Sequence, residues 1–382
     1  MKIRMYNVGY GDCFCLRDKR KNLLVDFGSS NNRIGKQTRS DVFDVIISDL
    51  TTIEDKNLLL THFHLDHLSG LLYLLKKKNC GVEFGCIYLP DVFSRPEMSR
   101  TLALLLLADL IRDSYLPSRQ VSLFTLVEVL LKNPANIELL SRGSMFQEKY
   151  QALWPDMDVI AKETDEVFQK IEAVYQEELE LVVEFSEKLR RIIWAMTSEG
   201  RAQREKNTRP PVSELERDFK ELRSTEEFQR LLSHMQMKKL GLRQFKSKIS
   251  IVFQNHKDGE INRLFTGDVP TEYMRMIAEN YDEKISLYEH YWCIKVPHHG
   301  TDGYYFDFAP YMPENLLISN GGYYADGKKK AKALRTSARY AGLFQIRDAH
   351  MYCSNCDCCD GYNNGCSCKE AHVIAPRYYF DI

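Results

Sequence analysis

The chain has no long apolar run. Its most hydrophobic stretch, Leu102 to Ala108, is short and meets Asp109, far from the ~20 apolar residues that a bilayer crossing needs. No membrane association is expected. Met1-Lys2-Ile3-Arg4 leads directly into strand-like sequence, without the apolar core of a signal peptide. Charge of one sign is also missing: 52 basic against 53 acidic residues give a net −1. That balance excludes bulk coating of nucleic acid, though not a local basic groove. Histidine is scarce, ten in 382 residues. Cysteine is not, at eleven. Without a secretion signal these read as reduced thiols or metal ligands rather than disulfides. The expected location is cytoplasmic. A hydrophobic content of 44% is ample for a packed core in one large or two ordinary domains.

Three of the few histidines crowd one place. Leu58-Leu59-Leu60 reads as a buried strand, and Thr61-His62-Phe63-His64-Leu65-Asp66-His67 follows it at once. From Leu68 the spacing turns helical (Leu68, Leu71, Leu72, Leu75). The ligand-type residues therefore sit past a strand's carboxyl end, where open sheets place their sites. His62 and His64 can point to one side of extended backbone, and Asp66 and His67 can reach a second point nearby. One loop thus offers two ligands to each of two metals, and imidazole with carboxylate suits zinc, manganese or iron.

HxHxDH after an apolar strand resembles the second motif of the metallo-β-lactamase superfamily. Other segments agree in order. Leu23-Leu24-Val25-Asp26-Phe27-Gly28 resembles the first motif, Leu264-Phe265-Thr266-Gly267-Asp268 the later strand with a metal-bridging aspartate, and Lys295-Val296-Pro297-His298-His299-Gly300-Thr301 the last. Asn7-Val8-Gly9-Tyr10-Gly11-Asp12, together with the Pro-His-His-Gly-Thr ending, is similar to the ComEC-type branch, which includes a competence-protein nuclease domain and phosphorylcholine esterases. The resemblance implies an α/β fold, the four-layer αββα sandwich, and two divalent metals, with zinc foremost and manganese open. It implies His62 and His64 on the first metal, Asp66, His67 and one of His298 and His299 on the second, Asp268 between them, and Asp26 buttressing the loop without binding metal. Adjacent residues in extended backbone point to opposite sides, so the other member of the His298-His299 pair is expected to touch substrate, move a proton or orient the site. Which does which stays open. Asp66, His298 and His299 are the residues expected to take part in catalysis. Many members add a histidine between the second and fourth motifs; here only His234 and His256 lie there, in unsuitable contexts, and Asp91 is the substitute considered.

Residues 1–93 and 248–349 carry the strand patterns of the core. Between them, 94–247 read as a large helical insertion. Helices are expected near Thr101–Tyr115 and Ser118–Lys132, along the stripe Val167, Ile171, Val174, Leu181, Phe185, Leu189, Ile192, Met196, and after Pro210-Pro211. Glu199 to Pro211 reads as a linker. The insertion is expected to pack on the core, cover the site, or mediate self-association or a protein contact. Residues 350–382 form a cysteine-rich segment in which Cys353, Cys356, Cys366 and Cys368 are candidates for an additional structural zinc.

The expected activity is a metal-dependent hydrolase whose metal-activated water attacks a phosphodiester. The ligand would be an anionic substrate, nucleic acid or nucleotide, with the basic stretches Lys238–Lys248 and Lys328–Arg339 available to it. The alternatives are a hydrolase of a small ester, lactone or thioester, and a non-catalytic regulatory or scaffold protein.

Overall fold

The computed structural model of the chain describes residues 2–18, 21–34, 37–77, 80–113, 122–133, 135–202, 212–238, 242, 245–259, 261–320, 340, 350–354 and 379–382. The first part gives β1 (Lys2–Tyr6), β2 (Phe14–Arg17) and β3 (Asn22–Val25), then a small ribbon, β4 (Arg33–Ile34) and β5 (Gln37–Thr38). Next come α1 (Arg39–Thr51), β6 (Lys56–Leu59), α2 (Leu65–Lys76) and β7 (Cys86–Pro90). The middle supplies α3 (Met98–Asp113), α4 (Ser122–Lys132), β8 (Asn136–Leu140), β9 (Met145–Phe146), β10 (Tyr150–Trp154) and the long α5 (Met157–Trp194). After it come α6 (Ser198–Ala202), α7 (Val212–Ser224), α8 (Glu226–Lys238) and α9 (Phe245–Lys248). The last part adds β11 (Val252–Asn255), β12 (Arg263–Phe265), α10 (Thr271–Ala278), β13 (Cys293–Lys295), β14 (Asn315–Ile318), β15 (His350–Cys353) and β16 (Tyr379–Asp381).

These strands form two seven-stranded sheets, ordered β16-β1-β2-β3-β6-β7-β8 and β15-β14-β13-β12-β11-β10-β9. Side chains alternate across a strand, and each face of each sheet is covered. Leu23, Val25 and Leu59 join Phe253, Phe265, Cys293 and Leu317 between the sheets. Leu24, Leu58 and Leu60 point the other way, into a cluster with α1, α2 and the insertion helices. Burial on both faces is why these strands read as continuous apolar runs. The result is four layers, αββα.

The expectation that 94–247 are purely helical needs correction. β8 completes one sheet, β9 and β10 complete the other, and these short strands were masked by the helical sequence around them. The expected helices appear as α3, α4, α5 and α7, but α6 lies in the segment read as a linker, and α8 and α9 stand where no helix was expected. In α5 the buried stripe is Phe168, Ile171, Leu179, Val182, Phe185, Leu189 and Ile193, whereas Leu181 is exposed. Tyr175, at φ −137° and ψ 45°, interrupts the helix and resets its phase. The run Leu102–Leu107 is fully buried, since α3 packs along α5, α8 and α9. A helix apolar all round belongs in such a core. No helix among the described residues is long and apolar enough to cross a membrane.

Candidate metal centre

Register brings the site together. β3 and β6 are parallel with Val25 opposite Leu59, and β12, β13 and β14 are parallel with Phe265 opposite Lys295 opposite Leu317. Residues just past these ends therefore meet at one rim of the sandwich: Asp26, Thr61 to His67, Asp268, His299 and Ser319. Two glycines permit the close approach. A Cβ on Gly28 would lie 2.4 Å from the Asp66 carbonyl carbon, and Gly267, at φ +50°, would put one 2.4 Å from Ser250 Oγ. Asp26, His298 and His299 also hold positive φ, at 56°, 43° and 57°. Left-handed backbone at non-glycine residues costs about 1–3 kcal/mol each and concentrates at functional sites. The His298-His299 pair thus lies in a left-handed turn, not in the extended backbone expected from sequence. Both rings nevertheless turn Nε2 toward Asp268.

The hydrogen bonds fix which nitrogen of each ring faces inward. Thr61 donates its N–H to Asp26 Oδ1 at 2.8 Å and its hydroxyl to Asp26 Oδ2 at 2.7 Å. That hydroxyl can then only accept from His62 Nδ1, 3.1 Å away. His67 Nδ1 donates to Asp26 Oδ2 at 2.8 Å. His299 Nδ1 donates to the Ser319 carbonyl at 2.9 Å. Thr301 donates its hydroxyl to the His298 carbonyl, so His298 Nδ1 donates to Thr301 at 2.9 Å. All four Nδ1 atoms are thereby committed as donors, and the four Nε2 atoms turn to one point. Asp268 Oδ2 occupies it, 3.2 Å from His67 Nε2, 3.6 Å from His299, 3.7 Å from His62 and 3.9 Å from His298.

Four groups of possible ligands lie here among the described residues, with one ligand atom from each residue mutually within 4.8 Å: His62, His64 and Asp268; Asp66, His67 and His299; Asp12, Asp26 and His67; and Asp12, Asp268 and His299. The first two, which take in the histidines of the His62–His67 loop, are the candidate metal sets. His62 Nε2 and His64 Nδ1 are 2.7 Å apart, and His299 Nε2 is 3.3 Å from Asp66 Oδ2. His298 belongs to neither set: its ring stacks on Tyr304 at 3.9 Å and is partly exposed. Asp268 Oδ1 is buried without a hydrogen bond. Converging lone pairs and carboxylate oxygens demand positive charge, and imidazole and carboxylate donors fit a pair of divalent cations.

The electrostatics divide the five imidazoles: burial keeps His62, His64 and His298 neutral, whereas facing carboxylates favour the charged form of His67 and His299. Burial, then His67 and His64, holds His62 well below the usual imidazole value. Burial and Lys246 bring His64 down to about 3, and burial brings His298 to about 4. Burial opposes protonation of His67 and His299 too, but Asp268 with Asp26 holds His67 well above its ordinary value, and Asp268 with Asp12 raises His299 to about 9. His299 and His67 outweigh burial in depressing Asp66, whereas burial wins at Asp26 and raises it.

Other expected residues are not brought here. Asp91 turns to Ser94, and His256 sits on an exposed turn with its N–H on the Lys149 carbonyl. His234 lies in α8, and neither Asp91 nor His256 is in the ligand sets. Lys246 and Lys248 of the basic stretch are held internally, paired with Asp109 and Glu163, so they do not form an open basic surface. Cys353 is buried at the end of β15. Cys356, Cys366, Cys368 and Lys328–Arg339 lie outside the described residues. Residues that sequence reasoning missed are Asp12, Thr61, Ser250 and Lys295. Ser250 Oγ accepts the Asp268 N–H at 2.8 Å and lies 3.3 Å from His62 Nδ1. A lysine closing the apolar Cys293-Ile294 strand was the one signal available for Lys295.

Residues 6–83 match the family model of the metallo-beta-lactamase superfamily, a span from the end of β1 through α2 that contains Asp26 and the His62–His67 loop. The fold is a four-layer αββα sandwich with a large, mostly helical insertion. A similar solved structure is the metallo-beta-lactamase fold protein YhfI from Bacillus subtilis, at 10% identity and a TM-score of 0.36, covering 100% of this chain and 98% of that one. No curated protein matches the chain.

Proposed function

We propose that the protein is a metal-dependent hydrolase acting on phosphodiesters. The observation that carries this reading is the convergence of four Nε2 atoms on Asp268 Oδ2, each ring oriented by a committed Nδ1 donor. His62, His64 and Asp268 would hold one divalent cation, and Asp66, His67, His299 and Asp268 the other. Such a pair supplies Lewis acidity and a water acidic enough to attack at neutral pH. The protein's own residues do the rest. Asp26 fixes His67 directly and His62 through Thr61. His298, kept neutral by burial and braced by Thr301 and Tyr304, presents Nε2 at the rim as a proton acceptor for substrate or water. Tyr10 packs its ring 4.3 Å from that of His299 and walls off the centre.

Two features favour a phosphodiester over a neutral ester. Two divalent cations would exceed the charge of the facing carboxylates once Lys295 is counted, so the loaded centre favours an anion that gains charge in its transition state. The opening Asn7–Asp12 and the ending Pro297–Thr301 resemble the ComEC-type branch. The test is a screen of purified protein, loaded with zinc or manganese, against bis-p-nitrophenyl phosphate, DNA, RNA, cyclic nucleotides, a lactone and a thioester. Chelator-sensitive cleavage of at least one diester is expected. Turnover of the lactone or thioester alone would decide for a small-molecule hydrolase. Failure to retain any metal would remove the basis of the reading.

A further inference from the structure

Lys295 is out of place by every rule of strand patterning. It ends β13 on the same face as Cys293, and its register partners Phe265 and Leu317 lie in the apolar layer between the sheets. An apolar side chain belongs at that position. A lysine there is 1% exposed, and burying an ammonium is costly unless it is paired and hydrogen-bonded. A local choice so opposed to its surroundings marks a functional constraint.

Its ammonium donates to the Gly267 carbonyl, pairs with Asp12 and faces one oxygen of Asp268. Lys295 Nζ stands 2.5 Å from Asp12 Oδ2, 2.8 Å from the Gly267 carbonyl and 3.5 Å from Asp268 Oδ1. The oxygen it faces on Asp268 is the one without a hydrogen bond, while the other oxygen is the hub of the four imidazoles. Asp12, 1% exposed, is held in place by its own N–H, which donates to the Asp66 carbonyl at 3.1 Å. Its Oδ1 lies 3.2 Å from His299 Nδ1, on the side of the ring away from the centre. One lysine therefore touches the bridging aspartate and, through Asp12, the back of a ligating histidine. Asp12 comes from the loop after β1 and Lys295 from β13, so the pair also spans the two sheets.

We infer that Lys295 and Asp12 form a buried positioning pair: Lys295 turns Asp268 so that Oδ2 is the oxygen facing the imidazoles, and Asp12, anchored by its own N–H, holds Lys295 in place and sets its charge behind His299, whose Nδ1 hydrogen goes to the Ser319 carbonyl. Each lends its charge to the other, so orientation is supplied with no net charge added beside the cations. The inference rests on the metal-centre reading above. Outer partners of this kind affect metal affinity by about 10- to 100-fold.

The test compares the parent protein with Lys295→Met and with Asp12→Asn/Lys295→Met. The single variant strands a buried carboxylate and is expected to lose stability. The double variant removes both charges at nearly constant volume and is expected to recover folding. Metal affinity is read by competition with a chromophoric chelator, and kcat and KM on the best diester are measured separately. The double variant is expected to melt near the parent, to bind both equivalents about 10- to 100-fold more weakly, and to lose kcat with KM little changed. Parental affinity for both equivalents, with parental kcat, in the refolded double variant would reduce the pair to a structural ion pair and overturn the inference. A parent that retains no metal overturns the metal-centre reading and this inference together. A parent that binds two metals keeps the two questions apart.

Discussion

Asp26→Asn is the most exacting perturbation of the centre. Asp26 is fully buried and accepts three hydrogen bonds, from the Thr61 N–H, the Thr61 hydroxyl and His67 Nδ1. Asparagine tolerates the left-handed backbone of Asp26, so the substitution isolates chemistry from strain. Its carbonyl can keep the Thr61 N–H, but its amide must then face two donors, the Thr61 hydroxyl and His67 Nδ1. Two bonds to a charged acceptor are lost, each worth about 1.5–3 kcal/mol. The buried carboxylate carries its own cost, seen in its raised pKa, which offsets part of that sum. A net loss of about 2 kcal/mol is expected, a clear drop in the unfolding midpoint that leaves the protein folded. The functional effect should be larger. His67 loses its Nδ1 acceptor, and the Thr61 hydroxyl, freed to donate to His62 Nδ1, removes that ring's reason to direct Nε2 inward. Both metal positions should therefore weaken, each by about 10- to 100-fold, in chelator competition at fixed pH. Thermal unfolding without and with zinc separates the two effects. Parental affinity at both positions in Asp26→Asn would refute the claim that this one carboxylate sets two imidazoles.

Further outcomes follow from the same geometry. Thr61→Val should weaken the His62–His64 position while sparing the one built on His67, and Thr61→Ser should retain both, by the same competition assay. Gly267→Ala forces a Cβ against Ser250 Oγ at positive φ; it should lower the melting temperature and turnover together, because the Asp268 loop must move. Glu187, hydrogen-bonded to Arg190, Ser99 and Arg191, has its carboxyl depressed to about 2. A depressed folded-state pKa gives stability that is complete above the unfolded value, near 4.3, and is lost as pH falls toward 2. Far-ultraviolet circular dichroism should show the α3–α5 helices weakening over that window, and Glu187→Gln should flatten the dependence.

Much of the centre was legible because ligands cluster in sequence wherever a strand ends. His62, His64, Asp66 and His67 need only one loop, and apolar runs on either side show where that loop sits. Asp268 and His299 were readable because each follows its own short apolar strand. The left-handed turn at His298-His299 was not, since adjacent histidines carry no signal for positive φ. Thr61 was invisible for another reason: its value lies in a hydroxyl that passes orientation from Asp26 to His62, and any residue type can follow a strand. The strands β8 to β10 were hidden because they are short and flanked by strongly periodic helices. Lys295 and Asp12 lie in segments that the motifs mark, but their pairing depends on which strands become neighbours across the sandwich, and no local pattern holds that.

The two candidate metal sets draw on both sheets, which would make bound ions rivets. His62, His64, Asp66 and His67 follow β6 of one sheet, while Asp268 and His299 follow β12 and β13 of the other. Neither sheet alone holds either of these two sets, so an ion bound there would add its binding energy only to the closed sandwich. At a thousandfold excess over its dissociation constant, each site would add about 4 kcal/mol to folding, a large fraction of what a domain of this kind possesses. Resistance to heat and proteolysis would then track metal supply. A substitution that loosens the sheets far from any ligand would register first as a loss of metal.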